Sequence, residues 1–123
     1  MTDMKQSHHA LDYVEISVTD LARAREFYGQ AFGWRFNDYG PDYAGIQAPG
    51  GDSEVGGLGV GGATGPGGVL ALLRSDDLDA TVAAVESAGG TVLEPPYDYP
   101  GGRRFIFGDP DGNRLGAYQP SDS

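Results

Sequence analysis

The sequence predicts an α+β fold assembled from two copies of one strand-helix-strand-strand-strand module. Three observations carry the prediction. Two amphipathic stretches, each preceded by an apolar strand and closed by glycine, read as helices. They align at a constant offset of 57 residues, which carries Asp20 to Asp77, Leu21 to Leu78, Ala31 to Ala88 and Gly33 to Gly90. Three short strand-like runs follow each helix, so strand, cap, helix and glycine stop recur in order.

The first strand is "YVEISV" (13–18). Alternation puts Val14, Ile16 and Val18 on a core face and Tyr13, Glu15 and Ser17 on the other. In "DLARAREFYGQAFG" (20–33), Leu21, Ala24, Phe27, Tyr28 and Ala31 fall at helical spacing, with Thr19 or Asp20 as the cap and Gly33 as the stop. The strands "GWRFNDY", "YAGIQA" and "SEVGGLGV" come next, the first pair turned by Gly40-Pro41-Asp42. "GGATGPGG" (61–68) reads as a flexible joint and lacks the Lys-Ser/Thr ending of a phosphate loop. The second module repeats the scheme. "VLALLR" leads into a helix carrying Leu78, Val82, Val85 and Ala88. It is followed by "TVLEPPYDY", "RRFIFG" and "NRLGAYQ", with turns at Pro100-Gly101-Gly102 and Asp109-Pro110-Asp111-Gly112. Residues 1–123 are expected to form one domain, with module one at about 10–61 and module two at about 68–119.

Composition narrows the function. At 123 residues and 39% hydrophobic content the chain suits one compact domain with a real core. It has no apolar run of membrane-spanning length and no charged-then-apolar leader, so a soluble, cytoplasmic protein is expected. The absence of cysteine excludes disulfides, thiol catalysis and Cys-type zinc sites. Eighteen acidic against eight basic residues give a net charge of −10, which argues against nucleic acid and anionic membranes as partners. Such a surface confers solubility and also attracts cationic small molecules.

Two modules of this kind, with "VTDLARAREFYGQAFGW" in one and "DPDGNRLGAYQ" closing the other, resemble the vicinal oxygen chelate superfamily, the glyoxalase, bleomycin-resistance and extradiol dioxygenase group. The resemblance implies a curved mixed sheet forming a cup, with the helices outside and a ligand inside. It would place Tyr13, Glu15 and Ser17, together with Leu70, Leu72 and Arg74, on the cup wall, with Val69, Ala71 and Leu73 behind it. Tyr118, sharing parity with Gly116, would also face inward. Two chains are often paired in this family, so a homodimer is expected, with Trp34 and Tyr43 suited to the contact.

Metal-using relatives carry a His or Gln on the first strand of each module and a Glu near the end of the last. Those positions fall here on Tyr13, Leu70, Gly59 and Gly116. Leucine and glycine offer no side-chain donor, and a divalent ion needs three or four. No metal and no cofactor are therefore expected. The register around Gly59 is loose, and Glu54 lies within reach of a slip. His8 and His9 are the only histidines. Adjacent strand residues point opposite ways, so the pair reads as a solvated N-terminal arm, although His9 shares parity with Tyr13.

A carboxylate on a cup wall is costly unless compensated. Glu15 is thus either a structural ion-pair partner of Arg74, Arg104 or Arg114, or a ligand contact or general base. "DPDGN" needs only turn chemistry. The candidate ligand-binding set is Tyr13, Glu15, Leu70, Leu72, Arg74, Arg104, Tyr118 and Trp34; no catalytic residue is singled out. The expected function is a metal-free binding protein for an aromatic or cationic small molecule. The alternatives are a lyase, isomerase or dioxygenase of the same superfamily, and a cup packed shut with a structural role.

Overall fold

A computed structural model describes residues 8–121. The elements are β1 (Leu11–Val18), α1 (Leu21–Phe32), β2 (Phe36–Asp38), β3 (Tyr43–Gln47), β4 (Glu54–Val60), β5 (Val69–Arg74), α2 (Leu78–Ser87), β6 (Thr91–Tyr99), β7 (Gly102–Gly108) and β8 (Arg114–Pro120). Both predicted strand-helix-strand-strand-strand modules are present, and the fold is α+β. The chain divides into two compact units, Tyr13–Leu70 and a second made from Ala71 onward together with the residues up to Asp12.

In the unit Tyr13–Leu70, strand order is β2-β3-β4-β1, with β1 parallel to β4 and the other pairs antiparallel. The second unit has the order β5-β8-β7-β6, again with its leading strand parallel to its last. Each unit thus places its first strand beside its fourth, which gives the sequence repeat a topological counterpart.

Local chemistry sets the helix ends. Asp20 accepts a hydrogen bond from the Arg23 N–H at 3.0 Å, and Asp77 accepts one from the Ala80 N–H at 3.1 Å. These bonds satisfy N–H groups that a first helical turn otherwise leaves orphaned. Gly33 stops α1 at φ 73°, a left-handed conformation that glycine adopts without a Cβ penalty.

Each helix covers one face of its own sheet. Leu21 of α1 is buried with Ala44, Ile46 and Leu58, and Ile16, Val18, Ala24, Tyr28, Trp34 and Phe36 pack around them. Leu78 of α2 is buried with Phe105 and Ala117, flanked by Leu73, Val82, Val85, Val92 and Phe107. Ile16, Val18 and Leu73 take the expected side. Val14 and Val69, predicted for the same layers, are instead 41% and 58% exposed. Val69 opens β5, and Val14 lies in the first half of β1, before the residues that pack against the helix.

Candidate functional site

Within the unit Tyr13–Leu70, the residues that alternate with the helix-facing row form the opposite face of the sheet. In-register rows place Glu15 beside Gly57 and Gly45, and Ser17 beside Gly59 and Tyr43. Three of those positions are glycine, and the space they leave is filled. A Cβ on Gly57 would lie 1.8 Å from the Tyr43 hydroxyl and 2.9 Å from that of Tyr13. On Gly59 it would stand 3.2 Å from the Tyr43 ring, and on Gly45 2.3 Å from the Glu54 carboxyl carbon. A side chain at Gly45 or Gly57 would force Glu54 or Tyr43 to move, and one at Gly59 would press on the Tyr43 ring, so the glycines form a bare backbone floor on which phenol and carboxylate lie.

On that floor the Tyr13 and Tyr43 hydroxyls share a 2.6 Å hydrogen bond, and Tyr43 also reaches a Glu15 carboxylate oxygen at 3.5 Å. Burial pushes the Tyr13 phenol up to about 12, outweighing its hydrogen bond to Tyr43; the nearby Glu54 and Glu15 charges add to the rise. Burial also raises Tyr43, with its bond to Tyr13 acting in the same direction. Both phenols therefore stay protonated at neutral pH. Each can donate a hydrogen bond, and neither serves as a resting base.

Glu54 enters the same face from the start of β4. It accepts hydrogen bonds from the Tyr39 hydroxyl and, at 3.0 Å, from Asn37 Nδ2. Gln47 Nε2 in turn donates to Asn37 Oδ1 at 2.8 Å. A register shift between Ile46 and Gln47 brings Glu54 opposite Gln47. Gly59 itself keeps its register with Ser17 and Tyr43, so the slip expected around it does not occur; the irregularity lies at the start of the strand.

The second unit carries a different face. Leu72, Gly116 and Ile106 form one in-register row, in which Leu72 and Ile106 are each 1% exposed. A second row runs Arg74, Tyr118, Arg104, Tyr97 across β5, β8, β7 and β6. Arg104 Nε donates to the Tyr97 hydroxyl at 2.5 Å, and its guanidinium lies 5.6 Å from the ring centres of both Tyr97 and Tyr99. Tyr118 donates to Asp12 at 2.7 Å, and burial is the largest cause of its raised pKa.

Each unit holds its own share of the predicted site residues. Tyr13 and Glu15 share the first face, which gains Tyr43, Tyr39 and Glu54. Arg74, Arg104 and Tyr118 share the second row. Leu70 is buried at 5% exposure, and Leu72 is core. Trp34 is corrected outright: its ring stacks on Tyr28 at 4.9 Å and 7°, on the α1 side of the sheet and away from Tyr13. The sequence placed Trp34 at a hairpin edge, whereas residues 33–35 are still outside β2 and fold back onto the helix.

The histidines are also corrected. His9 has φ 65°, which breaks the extended alternation on which the opposite-pointing reading rested. The His8 and His9 rings stack at 3.8 Å. His8 Nδ1 accepts from the Asp76 N–H at 2.9 Å, and His9 Nε2 bonds Thr81 Oγ1 at 2.8 Å. Thr81 is buried and bonds Ser75 Oγ at 2.7 Å, so this segment is docked. Arg114, a possible partner for Glu15, lies 3.4 Å from Glu94. Asp109 accepts from the Asp111 and Asn113 N–H groups and from Asn113 Nδ2, which is the turn chemistry expected of "DPDGN".

The residues at the four metal positions of the family do not fit an ion. The Tyr13 oxygen is engaged with Tyr43, and Leu70 has no donor. The direction in which a side chain would leave Gly59 is taken by the Tyr43 ring, and that of Gly116 by Leu72 at 3.0 Å. Among the described residues no three His, Cys, Asp or Glu side chains converge.

Fold and faces together define a two-module α+β protein that displays clustered phenols, carboxylates and guanidiniums on the sides of its sheets turned from the helices. The chain belongs to the Glyoxalase/Bleomycin resistance protein/Dioxygenase superfamily, whose model matches residues 10–116. It is 36% identical over 109 residues to the anthracycline biosynthesis protein DnrV of Streptomyces peucetius, covering 84% of this chain and 38% of that protein. It is 29% identical over 116 residues to the putative glyoxylase CFP32 of Mycobacterium tuberculosis, covering 88% of this chain and 44% of the relative. The chain thus spans less than half the length of these curated relatives. Among solved structures, the Mn(II)-bound glyoxalase of Novosphingobium aromaticivorans matches with a TM-score of 0.66 and 25% identity, over 92% of this chain and 39% of that one.

Proposed function

We propose that this chain is a metal-free small-molecule-binding protein that holds an aromatic or cationic ligand against Tyr13, Tyr43 and Glu15, and that it works as a cytoplasmic homodimer. The observation that carries the reading is the phenol pair lying on the glycine floor beside Glu15. A strand used only for packing would be served better by an apolar residue at position 15, because desolvating a carboxylate is costly. Aromatic rings and a fixed negative charge together suit a cationic aromatic, with cation–π attraction of roughly 0.5–2 kcal/mol. The net charge of −10 adds long-range attraction that salt screens. The similarity to a protein of anthracycline biosynthesis is consistent with an organic ligand. The described residues include no helix long and apolar enough to cross a membrane.

The test is titration of benzyltrimethylammonium into wild type and Glu15→Gln. Loss of charge at constant shape should weaken binding several-fold and leave thermal stability nearly unchanged. Unchanged affinity with a destabilised fold would make Glu15 a structural residue.

A further inference from the structure

Within the unit Tyr13–Leu70, the side chains around Glu54 have spent every hydrogen-bond donor they own. Tyr39 gives its phenol proton to Glu54 Oε2. Asn37 Nδ2 gives one proton to the same oxygen at 3.0 Å and the other to the Asp52 carbonyl at 2.9 Å. Gln47 Nε2 donates to Asn37 Oδ1 at 2.8 Å and to the Phe36 carbonyl at 3.5 Å. The orientation of the Asn37 amide is forced, since turning it over would set its oxygen against the Asp52 carbonyl and the Glu54 carboxylate. What remains is lone pairs. Among the described residues, Glu54 Oε1 and Gln47 Oε1 accept no hydrogen bond, and no arginine pairs with Glu54.

This carboxylate is held in place before any ligand arrives. It lies flat over Gly45, where a Cβ would stand 2.3 Å from its carboxyl carbon and 2.6 Å from Oε1. The bond to Glu54 is the largest cause holding the Tyr39 phenol above its ordinary range, so Tyr39 stays a donor at neutral pH. The Tyr39 and Tyr43 rings stand 6.2 Å apart at 45°, and Tyr39 is 59% exposed, which leaves an aromatic surface next to the charge. A fixed charge that can accept but not donate discriminates among cations. A cation with N–H protons can donate to Oε1, whereas a quaternary ammonium of equal charge cannot, and an anion meets only lone pairs.

We propose that Glu54 is a specificity-determining residue, which selects aromatic ligands carrying a primary ammonium by accepting its N–H through Oε1 while the ring lies against Tyr39 and Tyr43. This selection rests on the proposed function only in taking the ligand to be a cationic aromatic.

The test is calorimetric titration, at neutral pH, of benzylammonium and of benzyltrimethylammonium, which share ring and charge and differ in N–H donors. A primary ammonium gives up more hydration on binding, so a preference for it requires acceptors in the site. Wild type should bind benzylammonium about fivefold tighter or more, the worth of roughly one hydrogen bond. Glu54→Gln must keep its oxygen toward Asn37 and Tyr39, which leaves an amide N–H where Oε1 was, so the preference should vanish. Where Glu54→Gln fails to fold, wild-type NMR decides: the side-chain amide resonances of Asn37 and Gln47 should move with benzylammonium and hold still with benzyltrimethylammonium. Equal affinities in wild type, a preference that survives Glu54→Gln, or unmoved Asn37 and Gln47 resonances would overturn the proposal and leave the reading of Tyr13, Tyr43 and Glu15 in place. A preference that depends on Glu54, with both affinities untouched by Glu15→Gln, would sink that reading and leave this one standing. Binding of neither ligand would overturn both.

Discussion

The hydroxyl oxygens of Tyr13 and Tyr43 lie 2.6 Å apart directly over Gly57, where a single added carbon would sit 1.8 Å from one and 2.9 Å from the other. Two residues 30 positions apart in sequence are thus held together by the absence of a side chain at a third.

Gly57→Ala should break that pair. The methyl group must displace the Tyr43 ring, at a cost of about 1–3 kcal/mol for overpacking. Thermal unfolding should report the loss, with Gly51→Ala as a silent control because nothing lies within 4 Å of a Cβ there. Equal melting temperatures for the two variants would show that Tyr43 moves aside freely.

The same pair predicts how stability responds to alkali. Tyr13 titrates at about 12 in the folded protein, and Tyr43 is also raised, chiefly by burial. An unfolded tyrosine titrates near 10. Above that pH the folded state holds protons that the unfolded chain has released, so stability should be level below about pH 10 and fall through about pH 12. Tyr13→Phe should flatten this decline in pH-dependent denaturant unfolding. An unchanged slope would contradict the assignment.

Metal content follows from the donor set. Because Gly59 and Gly116 are covered by Tyr43 and Leu72, and Leu70 supplies no ligand, elemental analysis of gently purified protein should find no stoichiometric zinc, nickel, manganese or iron. One ion per chain would revive the lyase or dioxygenase alternative.

The proposed homodimer has a new candidate contact. Trp34 and Tyr43 are engaged within their own unit, whereas Phe27 and Phe32 of α1 are 58% and 62% exposed, with ring centres 6.3 Å apart. Sedimentation at micromolar concentration should give twice the chain mass, and Phe32→Glu should lower it toward the monomer. A wild-type monomer would remove the dimer from the functional proposal.

Periodicity and capping made the fold legible. Asp20, Asp77 and the terminal glycines announce both helices, and the offset of 57 residues announces the second module once the first is recognised. Tyr13 and Glu15 were found because alternation along one strand needs no knowledge of its neighbours. Tyr43 and Glu54 were not assigned to that face, because their side depends on pairing across β3 and β4 and on the irregularity at Ile46 and Gln47. The glycines of β4 read as slack, since a sequence records a missing side chain but not what fills its place. His9 misled for a backbone reason: its positive φ has no local signature, and only its contacts with Arg74 and Thr81 explain it.

The glycine floor also bears on how this protein can change. Substitutions at Gly45, Gly57 and Gly59 meet Glu54 or Tyr43, so any side chain added there acts by displacing a group of the site itself. Truncating Tyr43 would open a channel down to bare peptide groups, giving a larger recess without touching the α1 core. The recognition surface can therefore be rewritten by subtraction at no clash, while addition must first move Tyr43 or Glu54.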